Sequence, residues 1–429
     1  MNNKSISLRL IIMNFLEYAV WGAYLTSMGS FLAGAGMGSK IGLFFATQGF
    51  VSIFMPALMG IVADKWIPAQ KVLSLCHGLA GIFMLGAGLY ATTSGSAIAF
   101  GPFYTLYLLS VAFFMPTIAI ANSVAYNALE VSAKDPVKDF PPIRVFGTVG
   151  FICSMLFVNF VKDANGIQFQ HSSYQFIVSG ILSLVLCGYA LTMPNCPCKP
   201  SSAEKQSFME ASGLSAFKLF KEKKFAIFFI FSMLLGASLQ ITNGYANTFI
   251  SSFAGQPGYE NAWGANNANA LISLSQISET LCILLIPFAM KKLGIKGVML
   301  TAMFAWVLRF GFFGLGNPGS GVWLFVLSCI VYGVAFDFFN ISGSLYVNEN
   351  TDTSIRSSAQ GLFMIMTNGL GASIGTLAAG KVVNALVYTP QAAGEAGNWA
   401  AAWYIFAGYA LVVAVLFALL FKNPQKAEA

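Results

Sequence analysis

Long apolar blocks separated by short polar connections repeat along the whole chain. A helix that crosses a bilayer takes about 20 apolar residues, and each block is near that length. The blocks are continuous and lack the ten-residue alternation of barrel strands, so helices are the remaining way to satisfy their backbone groups in lipid. We predict twelve spans, at about residues 7–32, 41–63, 72–93, 100–128, 144–161, 174–193, 225–252, 267–290, 297–316, 321–346, 357–385 and 399–421.

The composition agrees with a membrane protein. Of 429 residues, 57% are hydrophobic and only 9% are charged, whereas a soluble domain carries about 25% charged residues. The 40 phenylalanines also exclude a disordered chain, because such chains are poor in aromatic residues. We therefore predict an all-α membrane protein embedded in a lipid bilayer.

The positive charges indicate how the chain is oriented. Of the lysines and arginines in the connections and at the termini, nineteen fall on one side of the predicted topology, and only Lys40, Lys162 and Lys381 fall on the other. Cytoplasmic loops are the ones enriched in lysine and arginine, so we expect both termini in the cytoplasm. The net charge of +7 forms no dense basic stripe, so we expect no nucleic acid as a partner.

The longest polar connection divides the predicted spans six and six. We therefore expect an N-terminal half at 1–193, a cytoplasmic linker at 194–224 and a C-terminal half at 225–429. This arrangement resembles the major facilitator transporters, which bind substrate near the midplane between their halves. We expect a monomer.

Metal and nucleotide chemistry find little support. Cys196 and Cys198 form a Cys-Pro-Cys in a loop, but the other five cysteines lie in apolar runs without ligand-like spacing and the only histidines are His77 and His171. We therefore predict no metal and no cofactor. The segment 375–382 imitates a phosphate-binding loop but lacks the final Ser or Thr and lies in an apolar span. ATP therefore does not drive this protein.

One loop motif points to a moving gate. Gly60, Asp64 and Lys65 follow the second span in a G-x-x-x-D-K pattern that resembles a loop signature of the major facilitators. We predict that Asp64 meets a helix N-terminus or a basic group when the cytoplasmic side is closed. The alternative is an ordinary solvated pair of loop charges.

Charged residues within spans are informative because each costs about 2.5 to 3.5 kcal/mol at a helix centre. The main ones are Glu17, Glu279, Arg309 and Asp337. A buried carboxyl is a possible proton carrier, since burial disfavours its charged form. For Arg309 we favour a structural pair with a carboxyl or with helix carbonyls. Glu17 is a third proton site, a partner of a neighbour such as Asn14, or a cavity-facing acid.

Polar residues three or four positions apart share a helix face and form four sets. The sets are Arg144, Thr148 and Phe151 on the fifth span, Gln240 and Asn243 on the seventh, Gln276 and Glu279 on the eighth, and Tyr332, Phe336 and Asn340 with Asp337 to one side on the tenth. Helix packing and hydrogen bonds between helices are the plainer interpretation, at about 0.6 kcal/mol per bond in membranes. Carboxamides, acids and rings together suit a flat, uncharged ligand with hydrogen-bonding edges, such as a nucleobase with its ribose or, more loosely, a sugar.

These residues bring out a resemblance that runs from about residue 9 to 422. The chain resembles the bacterial nucleoside permeases, the nucleoside–proton symporter family of the major facilitators. The most specific stretches are MPALMGIVADKW (55–66), DFPPIRVFGTVGF (139–151), AIFFIFSMLLGASLQITN (226–243), SQISET (275–280), VYGVAFDFFNISGS (331–344) and SAQGLFMIMTNG (358–369).

The resemblance implies proton-driven uptake of nucleosides across the bacterial inner membrane. It places the nucleoside at Arg144, Thr148, Phe151, Gln240, Asn243, Gln276, Glu279, Tyr332, Phe336 and Asp337. We expect the proton on Asp337 or Glu279. Ser238, where the family pattern suggests an acid, and Glu17, where it suggests an amide, depart from the pattern. A sugar–proton or drug–proton facilitator is the alternative within transport, and a channel or a membrane-embedded enzyme is the alternative outside it.

Overall fold

The computed structural model describes residues 3–95, 97–198, 214–352 and 355–422. The central part of the predicted linker, residues 199–213, lies outside the described residues, as do Lys199, Lys205 and Lys426 of the orientation count. Within the described chain the only β pairing is an isolated antiparallel bridge between Lys162 and Gln168. The prediction of an all-α chain is confirmed.

Eight α-helices precede the predicted linker. They are α1 (Asn3–Gly22), α2 (Met28–Gly34), α3 (Ile41–Lys65), α4 (Ala69–Ser94), α5 (Phe100–Phe114), α6 (Thr117–Val131), α7 (Pro136–Phe160) and α8 (Tyr174–Ala190). Short 3₁₀ turns lie at Gly38–Lys40 and Phe169–His171.

The described residues after the linker begin with a 3₁₀ segment, Leu214–Lys221. The α-helices that follow are α9 (Lys223–Ser252), α10 (Trp263–Asn266), α11 (Ala268–Ile283), α12 (Ile286–Leu315), α13 (Val322–Asn350), α14 (Arg356–Met364), α15 (Ala372–Val383), α16 (Thr389–Ala392) and α17 (Trp399–Leu420). A 3₁₀ turn lies at Phe253–Gly255, and π-helical turns lie at Ile365–Gly371 and Asn384–Tyr388.

Nine continuous helical segments in the described chain are long and apolar enough to cross a membrane. The other three predicted spans are shorter or interrupted. The sixth is α8, with 17 residues, and the first is divided into α1 and α2 by a turn at 23–27. The eighth consists of α11 and the start of α12, which breaks at Gly294 because that residue has φ 64°. A left-handed φ is accessible to glycine and ends a helix.

The described residues form two compact units by their contacts. The first comprises Met1–Met37 and Phe50–Ala211, and the second comprises Gly38–Gly49 and Ser212–Ala429. The helix α3 therefore begins in the second unit and ends in the first. The predicted boundary at 194–224 stays a prediction.

The helices bury one face and expose another that is apolar. In the first unit, residues of α1, α4 and α6, such as Leu10, Val72 and Val124, form a fully buried cluster. On outward faces, Ile82 is 57% exposed and Leu419 is 73% exposed. A surface of large apolar side chains suits lipid, whose tails are as apolar as leucine.

Candidate functional site

In the first unit, the predicted residues of α7 contact two aromatic residues of α1. The guanidinium of Arg144 lies 3.9 Å from the centroid of the Tyr18 ring. The ring of Phe151, which is buried, meets Trp21 edge to face with centroids 6.4 Å apart. Thr148, half-buried, lies one turn after Arg144 on the same helix. The structure thus groups the set from the fifth predicted span with the first.

Glycines allow α1 and α7 to approach closely. A methyl group at Gly22 would lie 2.5 Å from the carbonyl oxygen of Phe151, and one at Gly147 would lie 2.6 Å from Cδ2 of Tyr18. No real Cβ atom fits at such distances, so larger residues would force the two helices apart. The position of Arg144 and Phe151 against α1 therefore depends on small residues at these crossings.

Tyr18 and Trp21 were not among the residues predicted from sequence. Their spacing of three placed them on one helix face, but aromatic residues are too frequent in this chain for that signal to stand out. Trp21 carries a buried Nε1 that has no hydrogen-bond partner in the described part of the chain. Both residues join Arg144 and Phe151 as candidates.

Glu17, on the same helix, takes part in a separate buried cluster. Its Oε2 lies 2.8 Å from Nε2 of His77, and the Thr117 hydroxyl oxygen lies 2.6 Å from its Oε1. Asn14, the neighbour considered as a partner, instead donates to the carbonyl oxygen of Leu10. The partner of Glu17 is therefore His77 on α4, which no local spacing could reveal.

In the second unit, α11 and α13 bring five predicted residues together. Tyr332 interacts with the side chains of Gln276, Glu279 and Asp337. Phe336 stacks with Tyr332 at a centroid distance of 5.9 Å and an interplanar angle of 8°. The polar set of the eighth predicted span thus lies beside that of the tenth.

A glycine on α13 explains this proximity. A methyl group at Gly333 would lie 2.5 Å from the carbonyl oxygen of Ser278, and the Ser278 hydroxyl donates to the carbonyl of Ile330. Because Gly333 follows Tyr332 and Ser278 precedes Glu279, the crossing point sets the distance between the predicted groups.

The two carboxyl groups differ in environment. Asp337 is 5% exposed, and its Oδ2 is buried without a hydrogen-bond partner in the described chain. Glu279, which interacts electrostatically with Asp337, is half-buried. When two carboxyl groups interact in this way, a proton on one of them relieves the repulsion between their charges.

The two amides of α9 bond each other. Nδ2 of Asn243 donates to Oε1 of Gln240 at 3.2 Å, so one acceptor of the pair is already occupied. Gln240 is buried and Asn243 half-buried, and both lie in the second unit. The set around Arg144 lies in the other unit.

Arg309 supports the aromatic pair from α12. Its Nη1 donates to the carbonyl oxygen of Ser328 at 2.6 Å, and its Cζ lies 4.5 Å from the centroid of the Tyr332 ring. The side chain is fully buried and forms no salt bridge in the described chain. Of the two partners expected for it, the structure has the helix carbonyl.

A small pocket of about 20 Å³ adjoins Phe336. Its lining includes Trp306, Phe336, Asn340 and Asn368. Asn340 was predicted to share the stripe of Tyr332 and Phe336, whereas Asn368 belongs to the π-helical turn and could not be assigned a face from a regular α-helical period.

The residues of the predicted gate lie at the end of α3. Lys65, the last residue of the helix, is exposed, and Asp64 is half-buried. The start of α4 contacts the segment after α8, since the Ala69 backbone N–H donates to the carbonyl of Cys196 and the Cys196 N–H donates to Oε1 of Gln70. Burial raises the pKa of the Cys196 thiol, and the charges of Asp64 and Glu130 add to this effect. A methyl group at Gly60 would meet open space.

Comparison with known proteins identifies the family. Residues 4–426 match the family described as "Nucleoside H+ symporter". The chain is 43% identical to the xanthosine permease of Escherichia coli over 98% of both chains, and 42% identical to the nucleoside permease NupG of that bacterium over 97% of this chain and 96% of the relative. The crystal structure of nucleoside transporter NupG superposes with a TM-score of 0.87 at 41% identity, covering 99% of this chain and all of the other.

The similarity to NupG extends over the whole fold and confirms the predicted major facilitator architecture of a multi-pass membrane protein. The relatives named above are permeases, which move solutes across membranes and do not act as enzymes. On the evidence of both its sequence and its fold, this chain belongs to the nucleoside H+ symporter family of membrane transporters.

Proposed function

We propose that this protein takes up nucleosides across the bacterial inner membrane by alternating access, driven by the entry of protons. The observation that carries the proposal is the group formed by Asp337, Glu279, Tyr332 and Gln276, which joins two acids to an aromatic ring and an amide. The named relatives, at 42 to 43% identity, are permeases of nucleosides or of xanthosine.

The proton resides on Asp337 or Glu279. Asp337 has a buried oxygen without a hydrogen-bond partner in the described chain, so its charged form would be poorly solvated. A protonated acid lets the loaded carrier close without an unpaired buried charge. Release of the proton on the cytoplasmic side then restores the repulsion between the two acids and favours return of the empty carrier.

The nucleoside contacts polar and aromatic groups of both predicted halves. Gln240, Asn243, Gln276 and Arg144 read its polar edges, Thr148 supplies a hydroxyl, and Phe151 and Phe336 lie against the base. Rings of this kind bury large apolar area and also stack on flat ligands. The parallel orientation of Tyr332 and Phe336 supports this role because the buried Tyr332 ring holds the half-buried Phe336 ring in place.

The remaining parts of the proposal concern topology and gating. The halves are 1–193 and 225–429, both termini are cytoplasmic, and the protein acts as a monomer. Gly60, Asp64 and Lys65 form part of the cytoplasmic gate. Two hydrogen bonds between the start of α4 and Cys196 support this assignment, because they hold the helix that follows the motif against the segment after α8.

Uptake of radiolabelled uridine and adenosine into proteoliposomes, with and without an imposed pH gradient, tests the proposal. We expect accumulation above the external concentration only with the inside alkaline, and competition by unlabelled nucleosides but not by lactose. Competition by sugars or hydrophobic drugs alone would favour the other facilitator types. Equilibration without accumulation would indicate a channel or uniporter and would contradict proton coupling.

A further inference from the structure

A second pair of titratable groups lies in the first unit, apart from the residues proposed to bind nucleoside. Glu17 of α1 is 1% exposed and His77 of α4 is 0% exposed. Oε2 of Glu17 and Nε2 of His77 are 2.8 Å apart. Among the described residues, no lysine or arginine pairs with Glu17, whose hydrogen-bond partners are His77 and Thr117.

Two hydroxyl groups close the cluster from other helices. The Ser183 oxygen, on α8, lies 3.0 Å from Nδ1 of His77 and 2.9 Å from the carbonyl oxygen of His77. The Thr117 oxygen, on α6, lies 2.6 Å from both Oε1 of Glu17 and the carbonyl oxygen of Phe114. Each hydroxyl has one proton and can donate it to only one of its two neighbours.

The number of protons in the pair follows from these contacts. If Ser183 donates to the carbonyl of His77, then Nδ1 must carry a proton to reach Ser183, and the contact between His77 and Glu17 needs another. If Thr117 donates to the carbonyl of Phe114, then Glu17 carries a proton toward Thr117, and Nε2 of His77 supplies the other. In both cases two protons are shared among Nδ1, Nε2 and the carboxyl group, and the pair has no net charge.

If both hydroxyls donated to the carbonyl oxygens, the pair would need a third proton and would carry a buried positive charge, which is costly without an anion. The arrangement with one proton fewer is also unfavourable. Both hydroxyls would have to turn toward the pair, which leaves each facing a carbonyl oxygen without a proton between them. The pair would also carry a buried negative charge, which is costly without a cation. The other titratable groups nearby, the Cys76 thiol that interacts with Glu17 and the buried Tyr24 hydroxyl, supply no positive charge.

We propose that Glu17 and His77 jointly bind one proton, beyond the proton that a neutral imidazole always carries. This proton joins α1, α4, α6 and α8, because its removal would leave a buried negative charge on the pair and would turn both hydroxyls away from their carbonyl oxygens. The site is separate from Asp337 and Glu279 and does not depend on what the protein transports.

Histidine NMR combined with infrared spectroscopy tests the proposal on the full chain in nanodiscs at neutral pH. Because the chain has two histidines, ¹⁵N-histidine labelling gives two sets of signals, and the H171N variant assigns them. The E17Q variant identifies the infrared band of a protonated Glu17 by its loss. In E17Q the amide nitrogen donates to Nε2 and the amide oxygen accepts from Thr117, so we expect a neutral His77 that carries its proton on Nδ1.

Two results support the proposal: both His77 nitrogens protonated with no Glu17 acid band, or one nitrogen protonated with that band present. One protonated nitrogen without the band would overturn it, as would two protonated nitrogens with the band. If E17Q does not fold, glutamate-specific ¹³C labelling of the E279Q variant assigns the band without a change at Glu17. None of these spectra depends on transport activity, so the test remains valid even if the proposed uptake function is wrong.

Discussion

The guanidinium of Arg309 lies over the ring of Tyr332, with 4.5 Å between Cζ and the ring centroid, and its Nη1 holds the carbonyl of Ser328. A fully buried arginine is thus balanced by carbonyl, hydroxyl and aromatic groups, with no acid paired to it in the described residues. Arg309 links α12 to α13, so it fixes the Tyr332 ring on which Phe336 stacks, and Phe336 is the residue proposed to lie against the substrate.

Replacement of this arginine by lysine tests its positioning role. We expect Arg309→Lys to lower the unfolding temperature, because lysine cannot reproduce the planar fork and hydrogen bonds to charged groups contribute about 1.5 to 3 kcal/mol. The half-saturating nucleoside concentration should rise as well. Arg356→Lys, near the start of α14, is the control. An unchanged melting curve for Arg309→Lys would contradict the role.

The carboxyl groups of Asp337 and Glu279 are the proposed sites of proton coupling, and substitutions can test this role. Asp337→Asn and Glu279→Gln each remove one group that can take up a proton, so we expect loss of concentrative uptake with binding and exchange retained. Uptake into proteoliposomes with and without a pH gradient, together with counterflow, measures the two separately. The exposed Asp352, changed to Asn, is the control. Wild-type accumulation in both variants would show that the proton lies elsewhere.

The amide side chains of the proposed site should contribute to the affinity for nucleoside. A neutral hydrogen bond is worth about 0.5 to 1.5 kcal/mol net, so Gln276→Ala or Asn243→Ala should raise the half-saturating concentration by roughly two- to twelve-fold. Folding should persist, as judged by size-exclusion profiles. Gln256→Ala changes the same side chain at an exposed position outside the proposed site and should have no effect. Equal affinity in all three variants would remove these amides from the site.

The close crossing of α11 and α13 at Gly333 should not tolerate a larger side chain. Gly333→Ala places a methyl group 2.5 Å from the Ser278 carbonyl, and overpacking of this kind costs about 1 to 3 kcal/mol. We expect lower thermal stability and weaker uptake, because Tyr332 and Glu279 are adjacent to the crossing. Gly408→Ala, in α17, meets nothing within 4 Å and should leave both unchanged. A fully active Gly333→Ala would contradict this account of the site.

A histidine in the loop before α8 should make the stability of the folded protein depend on pH. His171, whose Nδ1 lies 2.8 Å from the Ser30 hydroxyl, has its pKa lowered to about 4 by burial. The folded state therefore prefers neutral imidazole, while the unfolded chain takes up a proton below about pH 6.5. Stability should be complete above pH 6.5 and decrease as the pH falls toward 4.

Melting temperatures at pH 7.5 and 5 measure this effect. The H171N variant can keep a hydrogen bond to Ser30 but cannot titrate, so its decrease between the two pH values should be smaller than that of the wild type. An equal decrease in both proteins would assign the acid sensitivity to other groups.

The sequence was informative where the signal was local. Continuous apolar blocks predicted helices, and intervals of three or four residues correctly placed Tyr332 and Phe336 on one face. The link between Glu17 and His77 was not predictable, because it joins residues 60 positions apart on different helices. The helix breaks at Gly294 and between α1 and α2 were not predicted from the sequence for another reason. Membrane helices tolerate interruptions that leave the apolar composition unchanged.

The π-helical turn at Ile365–Gly371 has a consequence for the history of the family. Such a turn holds one residue more than an α-helical turn of the same rise, so every side chain beyond Gly371 is rotated by about 100° relative to an uninterrupted helix. Deletion of a single amino acid here would restore regular winding and turn α15 to present a different face. A relative that lacks one residue at this point would therefore present different side chains on the same face of its eleventh span, even where the rest of the sequence of that span is the same.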